Sequence, residues 1–235
     1  MSGIEERLRA VEAKVDAACL KRGCARSEVT LITVSKTYPS EDIQRAYDLG
    51  QTEFGESRIQ EAAQKVVALP PEIEWHFIGR VQRNKVRKIL PLFPYIHAVD
   101  SLKLACRIDT VAGEMGIKPK IFLQVNQAEE PSKAGFTEEG LFEVFEEIMV
   151  SKHLKVVGLM NIPPAVKDAE ESRKWFLSLR LLRDELESRF GCDLPSLSMG
   201  MSRDYPTAIE EGATHVRVGS AIFGNRERKI EGELG

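Results

Sequence analysis

Two groups of residues in this sequence could do chemistry together, and the first is a lysine at the end of an apolar run. Lys36 closes the run Val29–Lys36. Taking an ammonium group out of water costs several kcal/mol, so a buried lysine is normally paired with an anion or takes part in a reaction. Burial also lowers the pKa of a lysine, and such an amine is the nucleophile that attacks a carbonyl carbon. The alternative is a lysine side chain that only reaches out to solvent.

The second group consists of small and hydroxyl-bearing residues in the last two apolar runs. Ser198 and Met199 stand near the end of one run, and Gly219 and Ser220 stand in the other. Glycine allows close approach of the backbone, whose N–H groups commonly hold phosphate, although Gly-Ser pairs are also ordinary turn residues. An amine facing a phosphate site suits pyridoxal 5'-phosphate (PLP), which carries an aldehyde and a phosphate.

Further candidate side chains lie at the ends of other apolar runs. Arg217 lies just inside the last run, in a position to meet the pyridine nitrogen of such a cofactor. His76, Asn126 and Met160 each have an ordinary alternative: a core histidine, a loop cap and a packing side chain. Nearly every run ends in polar or small residues. This favours one concave polar site over an unrelated local role for each of these residues.

The elements that must position these residues alternate along the chain. An opening helix starts with the capping-box pattern Ser2-x-x-Glu5 and stops at Gly23. Apolar runs predict eight strands: Val29–Lys36, Glu53–Ser57, Glu74–Gly79, Tyr95–Ser101, Lys120–Asn126, Lys155–Asn161, Leu194–Gly200 and His215–Ile222. Helical patterns lie between them: Ser40–Leu49, Ile59–Ala68, Arg83–Leu92, Leu102–Met115, Glu138–Met149, Ala169–Phe190 and Tyr205–Glu211.

This order predicts an α/β fold, a single (β/α)8 TIM barrel with an extra N-terminal helix. The competing doubly wound sheet would normally show a G-x-G-x-x-G motif after the first strand, and the sequence has none there. Without a repeat or a linker, we expect one domain over residues 1–235, with 225–235 as a flexible tail.

Composition narrows the class of protein. The chain of 235 residues is 43% hydrophobic and 29% charged, as folded globular chains are, and its net charge is −3. No apolar run approaches the roughly 18 residues of a membrane helix, and the N-terminus lacks a signal-peptide pattern. We therefore expect a cytoplasmic protein with no membrane partner. Four cysteines without a C-x-x-C pair predict no metal site.

One segment is locally basic. The stretch 80–88 holds five cations: Arg80, Arg83, Lys85, Arg87 and Lys88. A solvated helix face, with Val86, Ile89 and Leu90 on its apolar side, is the favoured interpretation. A nucleic-acid or phosphate-ligand patch is less expected because no aromatic residues interleave the charges. A docking surface for client enzymes stays open.

Six segments together resemble the pyridoxal phosphate homeostasis protein family, in order over residues about 30 to 225. They are Val34-Ser35-Lys36, Phe54-Gly55-Glu56 with Gln60-Glu61, Trp75-His76-Phe77-Ile78-Gly79-x-x-Gln82-x-Asn84-Lys85, Gly158-Leu159-Met160, Leu197-Ser198-Met199-Gly200-Met201-Ser202-x-Asp204, and Val216-Arg217-Val218-Gly219-Ser220-Ala221-Ile222-Phe223-Gly224. The sequence departs from the family pattern at Ser57-Arg58, usually Asn-Tyr, and at Asn161, more often Thr.

The resemblance implies a fold-type III PLP barrel, similar to the N-terminal domain of alanine racemase without its second domain. It implies that Lys36 holds PLP as an internal aldimine and that Arg217 approaches the ring nitrogen. The other implied cofactor contacts are Ser198, Met199, Gly219 and Ser220 at the phosphate, and His76, Asn126 and Met160 around the ring.

The function implied is intracellular PLP homeostasis: a monomer that holds PLP and supplies it to apo-enzymes without turnover of its own. An arginine at the ring nitrogen leaves that nitrogen largely unprotonated, which weakens the ring as an electron sink. The alternative is a PLP-dependent amino-acid racemase with weak or narrow activity. Racemisation needs a base on each face of the substrate carbon, and the second-domain tyrosine of the racemases has no counterpart here.

Overall fold

Eight parallel strands pair in chain order in the computed structural model, and the eighth pairs with the first to close the barrel. The structure describes residues 3–130 and 132–224, so the predicted tail 225–235 and the capping residue Ser2 lie outside the described residues. The strands are β1 Thr30–Val34, β2 Glu53–Glu56, β3 Glu74–Phe77, β4 Tyr95–Val99, β5 Lys120–Val125, β6 Lys155–Asn161, β7 Ser196–Met201 and β8 His215–Val218. The predicted (β/α)8 barrel is confirmed.

Helices connect successive strands and cover the outside of the barrel. They are α1 Gly3–Arg22, α2 Ser40–Asp48, α3 Ile59–Ala68, α4 Val86–Ile89, α5 Leu102–Met115, α6 Glu138–Met149, α7 Arg173–Phe190, α8 Tyr205–Glu210 and α9 Ser220–Phe223. The predicted N-terminal helix is confirmed: its apolar stripe is buried, and Gly23 follows its end with φ +78°.

Three predicted elements differ from the structure by about a turn. The predicted helix Ala169–Phe190 begins as a 3-10 turn, Ala169–Ser172, before α7. The predicted strand His215–Ile222 is wrong beyond Val218, because the chain turns at Gly219 and begins α9. The predicted helix Arg83–Leu92 is reduced to a 3-10 turn, Arg83–Lys85, followed by the short α4. Pro91 accounts for the early end, because proline has no backbone N–H and cannot donate the next helical hydrogen bond, although Leu90 before it still has helical backbone, with φ −55° and ψ −38°.

The barrel has an apolar outer layer and a partly polar interior. The outward side chains of the strands pack against the helices in one large core. Inside the barrel, a small apolar cluster of Ala98, Phe122, Val157 and Met160 lies beside buried polar groups. This polar interior leads to the carboxyl ends of the strands, where barrels hold their functional residues.

Candidate functional site

A cavity of about 810 Å³ opens at the carboxyl ends of the strands. Four predicted site residues line it: Lys36 after β1, Arg217 within β8, and Gly219 and Ser220 after β8. The structure therefore brings together the predicted amine, the predicted ring-nitrogen partner and part of the predicted phosphate site.

The residues on both sides of Lys36 are held by a buried ionic cluster. The Lys65 amine donates to the Ser35 carbonyl at 2.9 Å. The backbone N–H of Thr37 donates to the Glu61 carboxylate at 2.5 Å, and that carboxylate also pairs with Lys65. Thr37 has φ +70°, an uncommon conformation for a β-branched residue, which shows how tightly this turn is constrained.

Glu56 completes this cluster from the end of β2. Its Oε1 accepts hydrogen bonds from Lys65 and from the Ser35 hydroxyl, both at 2.7 Å. The carboxyl is fully buried, and burial raises its pKa, although the bond from Lys65 opposes that rise. The cluster fixes the backbone that carries Lys36 and leaves the Lys36 side chain, which is half-buried, at the cavity.

Arg217 presents a fixed cation at the base of the cavity. Its guanidinium donates to the Ser198 hydroxyl at 2.5 Å and to the Asn161 carbonyl at 2.8 Å. Burial lowers the pKa of Arg217 to about 10, with Asp204 opposing, so the group stays cationic at neutral pH. Because the Asn161 backbone makes this contact, the departure from the family's usual Thr does not remove it.

Below Arg217, a chain of hydrogen bonds runs through the barrel interior. The Ser198 hydroxyl bonds to His97 at 2.8 Å, His97 bonds to His76 at 2.9 Å, and His76 bonds to Glu53 at 2.7 Å. Burial lowers the pKa of His76 to about 3 and lowers the pKa of His97 well below its usual value. Both rings are therefore neutral, and they hold Ser198 against Arg217 without adding positive charge.

Backbone donors converge on one oxygen at the other side of the cavity. The N–H groups of Gly219 and Ala221 point to the Ser202 hydroxyl oxygen, at 3.1 and 3.5 Å. A Cβ on Gly219 would lie 3.1 Å from the Val34 carbonyl oxygen, so the two strand ends approach closely here. Convergent N–H donors beside a glycine are the arrangement that holds a phosphate oxygen.

Five predicted site residues do not line this cavity. Ser198, His76 and Met160 lie inside the barrel, while Met199 packs on the helix side of β7. The Asn126 amide donates to the Glu130 and Lys133 carbonyls at 3.0 and 3.2 Å, and so caps the loop after β5. The direct cofactor contacts expected for these residues stay predictions.

Sequence reasoning missed several lining residues. Ser202 belongs to the same block as Ser198, and its position before α8 is the signal that could have identified it. Tyr38 lines the wall beside Lys36, where its hydroxyl donates to the Gly224 carbonyl at 2.7 Å. Residues 162–167 and Lys133 close the opposite side, and no pattern in the sequence marks them.

The fold and this site define a barrel of the alanine racemase type, and comparison with known proteins agrees. The family described as "Alanine racemase, N-terminal domain" matches residues 8–227. The pyridoxal phosphate homeostasis protein of Aquifex aeolicus is 42% identical over 223 residues, 94% of this chain and 98% of that protein. That of Vibrio alginolyticus is 41% identical over 234 residues, 97% of this chain and 99% of that protein. The chain belongs to the pyridoxal phosphate homeostasis protein family.

Solved structures also resemble this chain. PipY of Synechococcus elongatus PCC7942 with PLP bound has a TM-score of 0.82 and 38% identity, covering 94% of this chain and 100% of that chain. Alanine racemase of Clostridium difficile has a TM-score of 0.72 at 14% identity, covering 95% of this chain and 61% of that chain, which shows a shared fold. Among the helices of residues 3–130 and 132–224, none combines the length and apolar character of a membrane span.

Proposed function

We propose that this chain holds PLP as a Schiff base on Lys36 and supplies it to apo-enzymes. The observation that carries the proposal is the placement of Lys36, Arg217 and Gly219 around one cavity. The PLP bound to PipY and the names of the relatives support the choice of cofactor. When bound, PLP supplies an aldehyde carbon that condenses with a lysine amine and loses one water.

The residues of the cavity fit this group. The close approach of Gly219 to Val34 and the N–H groups that meet at Ser202 suit a phosphate, and Lys36 provides the amine. Arg217, cationic and fixed by two hydrogen bonds, opposes protonation of a pyridine nitrogen beside it. An unprotonated ring draws electrons weakly, so the site favours holding the cofactor over stabilising a substrate carbanion.

The first test is the visible spectrum of the protein incubated with PLP, followed by borohydride reduction and peptide mass mapping. We expect a yellow protein and a reduced pyridoxyl group on Lys36. Lys133→Ala is the matched control, because Lys133 lines the same cavity and should not be needed for the colour. A protein that stays colourless, or an adduct on Lys133 instead of Lys36, would overturn the proposed anchor.

Supply to clients has its own test. Holoprotein is mixed with an apo-aminotransferase, and the recovery of transaminase activity is compared with that after adding an equal amount of free PLP. We expect activity to recover in step with loss of colour from the holoprotein. Retention of the colour with no recovery would rule out supply and leave only storage.

The racemase alternative predicts a second base opposite Lys36. Tyr38 is the tyrosine that lines the cavity, but it lies two residues from Lys36, its hydroxyl is bonded to Gly224, and its ring stacks on Phe223 with centroids 4.5 Å apart. We therefore expect no racemisation of L-alanine by the holoprotein. Activity that Tyr38→Phe abolishes would favour the racemase instead.

A further inference from the structure

A second cavity, of about 660 Å³, lies at the same end of the barrel but outside the strands. Loops after β2, β3 and β4 and the starts of α3 and α5 form its walls. The end of β3 separates the two cavities, since Phe77 lines this one and Ile78 lines the Lys36 cavity. It is therefore a distinct site, next to the proposed PLP site.

The walls of this second cavity are strongly basic. Four cations line it, Arg58, Arg80, Arg83 and Lys85, against one carboxylate, Asp100. The Arg80 Nε lies 4.0 Å from the Asp100 Oδ2, and in the part of the chain that the structure describes the other three cations form no ion pair. An excess of three positive charges on a concave wall attracts anions, because low-dielectric walls focus the field.

Apolar side chains supply the smaller part of the accessible lining of the second cavity, and polar groups supply the larger part. Phe77, Val81, Ile89 and Leu104 are buried beneath the charged rim. A cavity of this size is in the usual range for small-molecule sites. The amide groups of Gln60 and Gln82 add neutral hydrogen-bonding groups at the rim.

We propose that the second cavity binds a small molecule that carries a phosphate monoester on an apolar body. The arginines suit the phosphate, because guanidinium groups can bind phosphate with two parallel hydrogen bonds. The apolar side chains of the cavity suit the body of the molecule.

A nucleic acid fits the same residues less well. Arg87 and Lys88 belong to the same basic segment but do not line the cavity, and Arg87 pairs with Glu114. A phosphate backbone lying along this segment would use all five cations of the segment. A ligand inside the cavity would use only those that face it, and this difference provides the test.

The probe is phenyl phosphate, titrated by 31P NMR into protein that has been loaded with PLP and reduced with borohydride. The double variant Arg83→Ala/Lys85→Ala removes two lining cations, and Arg87→Ala/Lys88→Ala removes two that do not line the cavity. We expect the dissociation constant to rise about tenfold or more in the first variant and less than about twofold in the second. Inorganic phosphate should bind more weakly than phenyl phosphate because it cannot use the apolar side chains of the cavity.

Other results would overturn the proposal. One such result is that phenyl phosphate shows no saturable binding to the wild type. The other is that both double variants raise its dissociation constant equally. Tight binding of a single-stranded oligonucleotide that both variants lose equally would identify a nucleic-acid patch. If the protein takes up no PLP, the titration is run on unloaded protein, and Arg83 and Lys85 still distinguish the site because they do not line the Lys36 cavity. Unchanged circular dichroism in both variants shows that they fold.

Discussion

Lys65 is the residue on which the turn around Lys36 depends. It donates to the Ser35 carbonyl and pairs with Glu56 and Glu61 while it is itself buried. We expect Lys65→Met to lower the free energy of unfolding by about 3–5 kcal/mol, because it leaves the Glu56 carboxylate buried without its cation. Urea unfolding at pH 7 measures the change.

The control for this prediction replaces Glu56, the buried partner of Lys65, by a neutral residue. Adding Glu56→Gln to Lys65→Met removes the uncompensated charge, so the double variant should recover part of the lost stability. If the double variant is destabilised by the sum of the two single effects, the buried charge is not the cause.

Three of the four histidines impose a pH dependence on stability. Burial lowers the pKa of His76 and of His215 to about 3 and lowers that of His97 well below 6.5. As pH falls below 6.5, the unfolded chain binds protons on these rings and the folded barrel does not, so the free energy of unfolding decreases. Each ring can contribute up to about 1.4 kcal/mol per pH unit in this range.

This dependence is measured by urea unfolding at pH 7.5 and pH 5. His97→Gln should reduce the difference between the two values, since it removes one of the buried rings. His153 is half exposed and lies outside the barrel interior, so His153→Gln is the matched control for a histidine substitution that removes no buried ring. An equal effect of both substitutions would contradict the explanation.

At the scale of elements, α1 shows how a helix outside the barrel repeat is held. Leu8 is 4% exposed and lies on the buried face of α1, whereas Leu20 on the same helix is 83% exposed. We expect Leu8→Ala to cost about 2–5 kcal/mol and Leu20→Ala to change stability by less than about 0.5 kcal/mol. Chemical unfolding of both variants checks the comparison, and a large loss with Leu20→Ala would mean that the exposed face is covered in solution.

The order of helices and strands could be predicted from the sequence. The depth at which each strand side chain lies in the barrel could not. Short apolar runs mark the eight strands because both faces of each strand are buried. His76 and Met160 stand on predicted strands, yet they lie inside the barrel and not at its mouth. Strand tilt and stagger set that depth, and neither is written in the local pattern.

The site was predicted best where a residue follows a strand directly. Lys36 and Gly219 leave the strands at the mouth, so their position follows once the strand ends are known. The phosphate contact of Ser198 stays a prediction, and in the structure its hydroxyl bonds to Arg217 and His97. The partners of a buried hydroxyl depend on residues about 20 to 100 positions away, which no local pattern contains.

On the scale of the whole molecule, the Lys36 cavity lies where β8 pairs with β1 and closes the barrel. Lys36 follows β1, Gly219 follows β8, and Lys133 reaches the cavity from the loop after β5. A ligand that bonds to the groups after β1 and β8 is held where only the folded barrel brings these groups together, so it stabilises the entire fold. At a PLP concentration of 100 times Kd, the expected gain is about 2.7 kcal/mol.

Thermal unfolding with and without PLP measures this gain. We expect PLP to raise the Tm of the wild type and of Lys133→Ala, and to leave that of Lys36→Ala nearly unchanged, because the covalent anchor is lost. Phosphate contacts near Gly219 and Ser202 would still give Lys36→Ala a small rise at high PLP concentration. A full rise in Lys36→Ala would show that PLP is held without Lys36, and the noncovalent contacts with Arg217 and the strand ends would then carry the affinity.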